Sequence, residues 1–370
     1  MKRIILLDVD GVLVQPGGYR AALRATVKRF IGDFKIEEDL LTEFERRGIS
    51  SEWDMSPLII AAYWEDLFSH RYIDPLSADV KVAAHNLKSL SQLWAEPELL
   101  SIPEFELVAG QYPAETAFHA GCFRSIPEEL RKNLLLDTRS IQKSATMQTF
   151  QHFTLGSKTY SETYQLSAEF DAESSLLAVD RSNISDEIRE RLYHPDHHLA
   201  AFTARPSGIP VGINESSLGY APEAELALDL VGMNDIPLMA FGKLEYIAAQ
   251  HGLMPSTLVK PSPFQALAAT LAAWTGDELS ALHAAYDWHR AGKLNSKFAE
   301  LPKDFELIVV EDTMGGIRSV RTAGEIFRQA GFDVTVRTLG LTSGISAKAA
   351  AFDAAAVPHF ENWEQLIKVL

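Results

Sequence analysis

Short apolar runs alternate along much of the chain with longer stretches that repeat apolar residues at helical spacing. Apolar runs of this length, each followed by helix-like sequence, are typical of buried parallel strands joined by helical crossovers. The pattern predicts strands at 3–7, 199–202, 257–259, 307–310 and 334–339. The predicted fold class is therefore α/β, with a Rossmann-like parallel sheet and helices on both of its faces.

The long interval between the first two predicted strands has a different pattern of apolar residues. Residues 18–34, "GYRAALRATVKRFIGDF", place apolar residues at helical spacing, and later stretches do the same. This periodicity predicts a mostly helical domain inserted at 18–196, within a core domain made of 1–17 and 197–370. A second, smaller insertion is expected between Lys260 and Glu311, where the sequence predicts a helix pair.

Charge and cysteine content narrow the class of protein. The chain has 370 residues, with 50 acidic against 34 basic side chains and a formal net charge of −16. We therefore expect no binding to nucleic acid or to an anionic membrane, and an anionic substrate must meet local positive charge. Cys122 is the single cysteine, which excludes an internal disulfide and indicates a reducing, cytoplasmic compartment. Asp8 interrupts the first apolar run too early for a signal peptide, and the oligomeric state stays open.

Polar residues follow four of the predicted strands directly: Asp8, Thr203, Lys260 and Glu311. In an open, doubly wound sheet, ligands bind beyond the carboxyl ends of the strands. We therefore expect these residues to converge although they are far apart in the sequence.

The stretch "IILLDVDGVLV", residues 4–14, carries two carboxylates at the end of its strand. Asp8 at such a position can act as a nucleophile toward phosphorus and form an aspartyl-phosphate. Asp10, two residues later, can protonate the leaving oxygen and afterwards activate water. Gly11 lets the backbone turn closely around the phosphoryl group.

A phosphate dianion near Asp8 would be repelled unless a cation lies between them. The stretch "LIVVEDTMGGIRSVRTAG", residues 307–324, supplies two further carboxylates, Glu311 and Asp312. Hard oxygen ligands of this kind suit Mg²⁺. Lys260 would add a fixed ammonium group, and Thr203 would donate a hydroxyl hydrogen bond to a phosphoryl oxygen.

Four motifs together resemble the haloacid dehalogenase superfamily of phosphotransferases, in the order in which that family uses them. They are "DVDGV", "AFTAR", "KPSP" and "VEDTMGGI", and the first and last are specific. The resemblance implies that Asp8 is the nucleophile and Asp10 the general acid/base. It further implies that Mg²⁺ is held by Asp8, the Asp10 main-chain carbonyl and Asp312, with Glu311 next to or within that shell. The phosphoryl group would be bound by Gly11, Thr203, the backbone amide of Ala204, and Lys260.

The resemblance covers 1–17 and about 197–370, and the insertion begins where the family places its first type of cap, a helical lid. The acidic motif most resembles the β-phosphoglucomutase-like branch, which contains both phosphatases and mutases. We expect a Mg²⁺-dependent phosphatase that hydrolyses a small phosphorylated metabolite through Asp8. A phosphomutase and a non-catalytic phosphate-binding protein are the alternatives, and the long insertion leaves the substrate open.

Several other residues compete for functional roles. Lys243 is a rival to Lys260, but its sequence has helical periodicity and lies away from a strand end. Arg205 follows Thr203 closely, and both a phosphate contact and a packing role remain open for it.

Residues of the insertion and of one histidine-rich stretch have plainer interpretations. We expect Tyr19, Arg20 and Arg24 to lie on a solvated helix face. The stretch "YHPDHH", residues 193–198, is interpreted as a solvated loop rather than a metal site. The aromatic residues around Tyr63, Trp64 and Phe68 are predicted to form the core of the inserted domain.

Overall fold

The computed structural model describes residues 2–70, 77–91, 100–108, 110–213 and 220–370. Parts of the predicted insertion, at 71–76, 92–99 and 109, lie outside the described residues. The chain divides into two compact units. The first unit consists of Met1–Pro16 and Asp180–Leu370, and the second consists of Gly17–Val179.

The first unit is built on a six-stranded sheet in which every neighbouring pair of strands is parallel. The described strands of the chain are β1 (Lys2–Leu7), β2 (Val14–Gln15), β3 (Arg181–Ser182), β4 (His197–Phe202), β5 (Leu238–Met239), β6 (Asp304–Glu311), β7 (Asp333–Leu341) and β8 (His359–Phe360). The order across the sheet is β5-β4-β1-β6-β7-β8, and β2 pairs with β3 in a separate antiparallel ribbon. The buried, apolar β1 therefore lies between β4 and β6.

Helices make up most of the remaining described structure. The second unit holds α1 (Gly18–Ile31), α2 (Glu38–Arg46), α3 (Glu52–His70), α4 (Val80–Ser91), α5 (Pro113–His119), α6 (Glu128–Leu135), α7 (Ala145–Tyr164) and α8 (Ser175–Val179). The first unit holds α9 (Asp186–Leu192), α10 (Glu223–Leu230), α11 (Phe241–His251), α12 (Pro263–Thr275), α13 (Glu278–Ala291), α14 (Met314–Gln329), α15 (Ser346–Ala354) and α16 (Trp363–Leu366).

Alternation along the central strands separates two cores in the first unit. Ile4 and Leu6 of β1 belong to a core with residues of α12, α13 and α14, whereas Ile5 and Leu7 belong to another with residues of α9, α10 and α16. Successive side chains of a strand point to opposite faces, so the sheet is covered by helices on both sides. The predicted α/β class is confirmed.

The second unit has a helical core of its own. Tyr63 and Trp64 of α3 are buried there, and Phe68 packs against the same cluster, as predicted. Arg20 pairs with Glu45 and Glu52, and Arg24 pairs with Glu38. The two arginines are thus engaged within this unit.

Most predicted strands of the first unit are present, but one prediction is wrong. Residues 257–259 form no strand, because Pro255 opens a 3₁₀ turn at Pro255–Thr257; Leu258 is buried in the core and Val259 packs against it. The outer neighbour of β4 in the sheet is the short β5. The helix pair expected between Lys260 and Glu311 is confirmed as α12 and α13.

The predicted end of the insertion differs from the observed boundary. Residues 180–196 were assigned to the insertion, yet they belong to the first unit. They include β3, which pairs with β2, and α9, whose Ile188 and Leu192 enter a core of that unit. His197 and His198 are the first residues of β4 rather than part of a loop.

Candidate active site

The register of the sheet brings the ends of its central strands to one edge. Leu7 at the end of β1 pairs with Ala201 of β4 and with Val310 of β6. The residues that follow, Asp8 and Glu311 among them, therefore meet at the carboxyl edge of the sheet.

Asp8 is buried, with 5% of its surface exposed. Its backbone N–H donates to the Val310 carbonyl at 3.1 Å, which continues the pairing of β1 with β6. Its Oδ1 accepts a hydrogen bond from the Val9 N–H at 2.8 Å and lies 2.8 Å from the Lys260 Nζ. The side chain is thus held at the strand end next to a fixed ammonium group.

Glu311 at the end of β6 is fully buried and is held through both oxygens. Its Oε1 accepts a hydrogen bond from Lys260 Nζ at 2.5 Å. Its Oε2 accepts from the Asp312 and Thr313 N–H groups and from the Thr313 hydroxyl. A Cβ on Gly316, in the first turn of α14, would lie 1.9 Å from Glu311 Oε1, so this position needs glycine.

Asp312 follows Glu311 and lies against the loop that carries the first motif. Its Oδ2 accepts a hydrogen bond from the Nζ of Lys348 on α15 at 2.5 Å. A Cβ on Gly11 would lie 2.3 Å from the same oxygen, and Gly11 has a φ of 73°. Gly11 is therefore needed both for its backbone conformation and for the close approach of Asp312.

Crowding of these acids shifts their proton affinities. Burial, and then the charge of Glu311, raise the pKa of Asp8 to about 7, against the opposing effect of Lys260. Burial, and then the charge of Asp8, also raise the pKa of Asp312, although Lys348 opposes this. Burial alone would lower the pKa of Lys260, but Asp8 and Glu311 outweigh it and raise that pKa. The site thus holds more negative charge than its two lysines neutralise.

A divalent cation fits this arrangement. Asp8, Glu311 and Asp312 each offer a carboxylate oxygen, and these oxygens lie within 4.8 Å of one another. Among the described residues, no other set of three or more histidine, cysteine or acidic side chains is grouped in this way, the histidines of 193–198 included. The donors are hard oxygens and carry excess negative charge, which matches the ligand preference of Mg²⁺.

Thr203 and Ala204 follow β4 at the same edge. Thr203 is buried, and its Oγ1 accepts a hydrogen bond from the Arg205 N–H at 3.2 Å. Its carbonyl accepts from Gln265, which also bonds the Lys260 N–H through its Oε1. Gln265 therefore ties the Thr203 and Lys260 segments together, and Ala204 is exposed beside them.

The side chain of Asp10 contacts Arg205 and does not belong to the carboxylate group that contains Asp8. Arg205 Nε lies 2.9 Å from each oxygen of Asp10, and its Nη2 lies 2.6 Å from Oδ1. The same Nη2 donates to Asp180 Oδ2 at 2.9 Å. The sequence left open a phosphate contact or a capping or packing role for Arg205, and the structure instead places its guanidinium against the carboxylates of Asp10 and Asp180.

Two residues of this site were missed by the sequence analysis. Asp180 had been assigned to the insertion, although the run "LLAVD" before β3 resembles the other strand-like runs that end on an acid. Lys348 lies in an alanine-rich helix that carries no local sign of a functional lysine. Its role depends only on where α15 packs.

Comparison with known proteins finds a solved structure that shares the fold of this chain. No family model and no curated protein matches the chain. Among solved structures, an X-ray structure of a Northeast Structural Genomics Consortium target is similar over 100% of this chain and 98% of its own, with a TM-score of 0.65 and 14% identity. No described helix has both the length and the apolar character that crossing a membrane would require.

Two further structures are similar at lower scores. A conserved haloacid dehalogenase-like protein of unknown function from Agrobacterium tumefaciens has a TM-score of 0.35 and 15% identity, with 100% of this chain and 97% of that chain covered. A candidate beta-phosphoglucomutase from Thermotoga maritima has a TM-score of 0.37 and 13% identity, with 99% and 97% covered. The expected α/β fold, a parallel sheet covered by helices with a separate helical unit, is confirmed by the structure itself, and the target structure with a TM-score of 0.65 shares this fold.

Proposed function

We propose that this chain, with its haloacid dehalogenase-like fold, is a Mg²⁺-dependent phosphatase of small phosphorylated metabolites. The observation that carries the proposal is the meeting of Asp8, Glu311 and Asp312 with Lys260 at the carboxyl edge of the sheet. Three carboxylates gathered around Lys260 and Lys348 carry more negative charge than the two lysines neutralise, which is costly to the fold. Such a cluster is best accounted for by a site that binds a cation and a phosphate group.

Asp8 is the proposed nucleophile. Its side chain is fixed by Val9 and Lys260, and Lys260 favours the ionised carboxylate that attack on phosphorus requires. The bond formed joins Asp8 to phosphorus, and the bond broken joins phosphorus to the leaving oxygen. Lys260 also neutralises charge on the phosphoryl oxygens, and the Ala204 amide and Thr203 hydroxyl would hydrogen-bond to them.

The proposed Mg²⁺ would be held by Asp8 and Asp312, with the Asp10 carbonyl suggested by the motif resemblance. Glu311 would contribute negative charge, because its oxygens already accept hydrogen bonds from Lys260 and from the backbone after β6. When bound, the cation offsets the charge shared by the carboxylates and the substrate phosphate.

Asp10 is the proposed general acid and base. In the first step it would give its proton to the leaving oxygen, and in the second it would take a proton from the water that hydrolyses the aspartyl-phosphate. A protein that only binds phosphate has no use for such a group, so Asp10 favours an enzyme over the non-catalytic alternative.

The test is an assay of phosphate release with p-nitrophenyl phosphate and a panel of sugar phosphates, nucleotides and phosphorylated acids. We expect Mg²⁺-dependent release that falls at least about 10⁴-fold in Asp8→Asn. Lys297→Gln, at an exposed ion pair with Glu300, is the matched control and should keep full activity.

Three other results would be informative. Conversion of a sugar phosphate to an isomer without phosphate release would favour the mutase. Binding of phosphate esters without turnover across the panel would favour the non-catalytic protein. Turnover that survives in folded Asp8→Asn would contradict the assignment of the nucleophile.

A further inference from the structure

Arg205 and Asp180 form a buried charged pair behind Asp10. The side chains of Arg205 and Asp180 are each 1% exposed, whereas that of Asp10 is 35% exposed. Arg205 contacts both oxygens of Asp10 and one oxygen of Asp180. The three side chains thus form a continuous series of ion pairs from the buried Asp180 through Arg205 to the partly exposed carboxylate of Asp10.

This arrangement fixes how the Asp10 carboxylate is oriented. A planar guanidinium that contacts both carboxylate oxygens restricts rotation of the carboxylate as well as its position. Burying an arginine is costly unless its charge is compensated, and Asp180 supplies a second carboxylate to the Nη2 that also contacts Asp10. The pair is therefore suited to holding Asp10 in one geometry.

The backbone on either side of the pair is also held in place. The Arg205 N–H donates to Thr203 Oγ1, and the Arg205 carbonyl accepts from the Phe241 N–H at 3.0 Å. Asp180 immediately precedes β3, which pairs with β2, the strand that follows the Asp10 loop. Both ends of the contact are thus fixed relative to the first motif.

We infer that Arg205, anchored by Asp180, is a positioning residue that orients Asp10 for proton transfer to and from the substrate. A phosphate contact by Arg205 is less consistent with the geometry, because its Nε and Nη2 already donate to carboxylates. The inference rests on the proposed function, since it assigns Arg205 a role in the acid/base chemistry of Asp10.

The test measures kcat/KM for a series of phosphate esters whose leaving groups range from nitrophenol to simple alcohols. This parameter reports the steps up to phosphoryl transfer to Asp8, in which a poor leaving group depends most on a general acid. We expect Arg205→Met to lose roughly 30-fold on alkyl esters and no more than about threefold on p-nitrophenyl phosphate. The steeper dependence should resemble that of Asp10→Asn.

Conservative variants separate positioning from folding. Arg205→Lys keeps the charge but loses the planar contact, so its leaving-group dependence should lie between those of wild type and Arg205→Met. Asp180→Asn leaves Arg205 in place but weakens its anchor, and it should behave similarly. Folding of each variant is checked by circular dichroism and thermal melting. If Arg205→Met does not fold, the test uses Arg205→Lys and Asp180→Asn alone.

The outcomes separate this inference from the proposed function. An equal loss on all esters, or no loss, in the folded variants would overturn the positioning role while Asp8-dependent turnover kept the phosphatase assignment intact. Absence of any Asp8-dependent turnover in the wild type would instead overturn the proposed function and this inference with it.

Discussion

Two buried lysines in the first unit, Lys260 and Lys243, have similar partners but different surroundings. Lys243 on α11 lies 2.8 Å from Glu278 Oε2 and 3.8 Å from Glu225 Oε1, and it donates to the Ile209 carbonyl. Lys260 lies 2.8 Å from Asp8 Oδ1 and 2.5 Å from Glu311 Oε1. Each lysine therefore contacts two carboxylates in a water-poor environment.

The difference lies in what the carboxylates do besides contacting the lysine. Glu278 accepts from the Leu238 N–H and Glu225 from the Gly208 N–H, so the acids around Lys243 hold segments of backbone together. The acids around Lys260 accept hydrogen bonds from adjacent backbone N–H groups and, in addition, lie against a further carboxylate, Asp312, at the edge of the sheet. A buried lysine–carboxylate pair alone thus does not indicate a functional site, whereas an excess of carboxylates at strand ends does.

The largest expected effect comes from breaking the Lys243 cluster. Lys243→Met leaves Glu278 buried without its cation, which should lower the free energy of unfolding by about 3–5 kcal/mol. Urea denaturation at neutral pH measures this change. We expect kcat of the remaining folded protein to stay within about threefold of wild type, and a large loss of kcat would show that the two lysine clusters are not functionally distinct.

Removing the other lysine should lower turnover as well as stability, because Asp8 and Glu311 also lose their cation. Lys260→Met takes away the ammonium that neutralises the phosphoryl oxygens, and we expect kcat to fall by about 10²–10³-fold, or roughly 3–4 kcal/mol. Lys297→Gln serves as the control. Comparable kcat values for folded Lys260→Met and wild type would remove Lys260 from the proposed site.

The carboxylate cluster should make the unfolding free energy of the metal-free protein depend on pH. Asp8 titrates at about 7 in the folded chain against 3.8 without perturbation, so the unfolded chain releases its proton first as the pH rises. The contribution of Asp8 to the unfolding free energy is therefore fully present below about pH 3.8. As the pH rises through about 7 this contribution is lost, and the unfolding free energy falls by roughly 2–4 kcal/mol.

Asp8→Asn cannot ionise at this position and should therefore avoid the loss. Its advantage in unfolding free energy over wild type should grow between about pH 4 and pH 7, measured by urea denaturation in EDTA. An advantage that is constant across this range would show that Asp8 is not strained by burial and by Glu311.

The smallest effect concerns the second lysine of the site, Lys348. Its ammonium holds Asp312 Oδ2, an oxygen proposed to bind Mg²⁺, and its positive charge opposes a cation there. We expect Lys348→Gln to tighten divalent cation binding by roughly fivefold, measured by Mn²⁺ titration with electron paramagnetic resonance. Weaker binding would instead show that Lys348 orients Asp312 for the metal.

Much of the fold could be predicted because its determinants are local. The strands at 3–7 and 307–310 are apolar runs that end on acids, and both the run and the acid are visible in a few neighbouring residues. The convergence of Asp8 and Glu311 then follows from a general property of parallel sheets. Even the wrong strand at 257–259 did not misplace Lys260, because a 3₁₀ turn brings it to the same edge.

The parts that could not be predicted depend on packing between distant segments. Nothing near Lys348 indicates that α15 will bring its ammonium to Asp312. The pairing of Asp180 with Arg205 likewise requires knowledge of where the insertion ends. Sequence patterns give the acids of the site, whereas the residues that position and neutralise those acids become evident only in the folded chain.

The small ribbon of β2 and β3 also bears on how this chain can be engineered. Gln15 and Arg181 are direct cross-strand partners, so the polypeptide returns beside the point at which it departed. Two antiparallel strands can be joined by a two-residue hairpin, and Gly17–Val179 can in principle be excised and the gap closed by a tight turn. The ribbon thus provides a natural splice point for exchanging one inserted module for another.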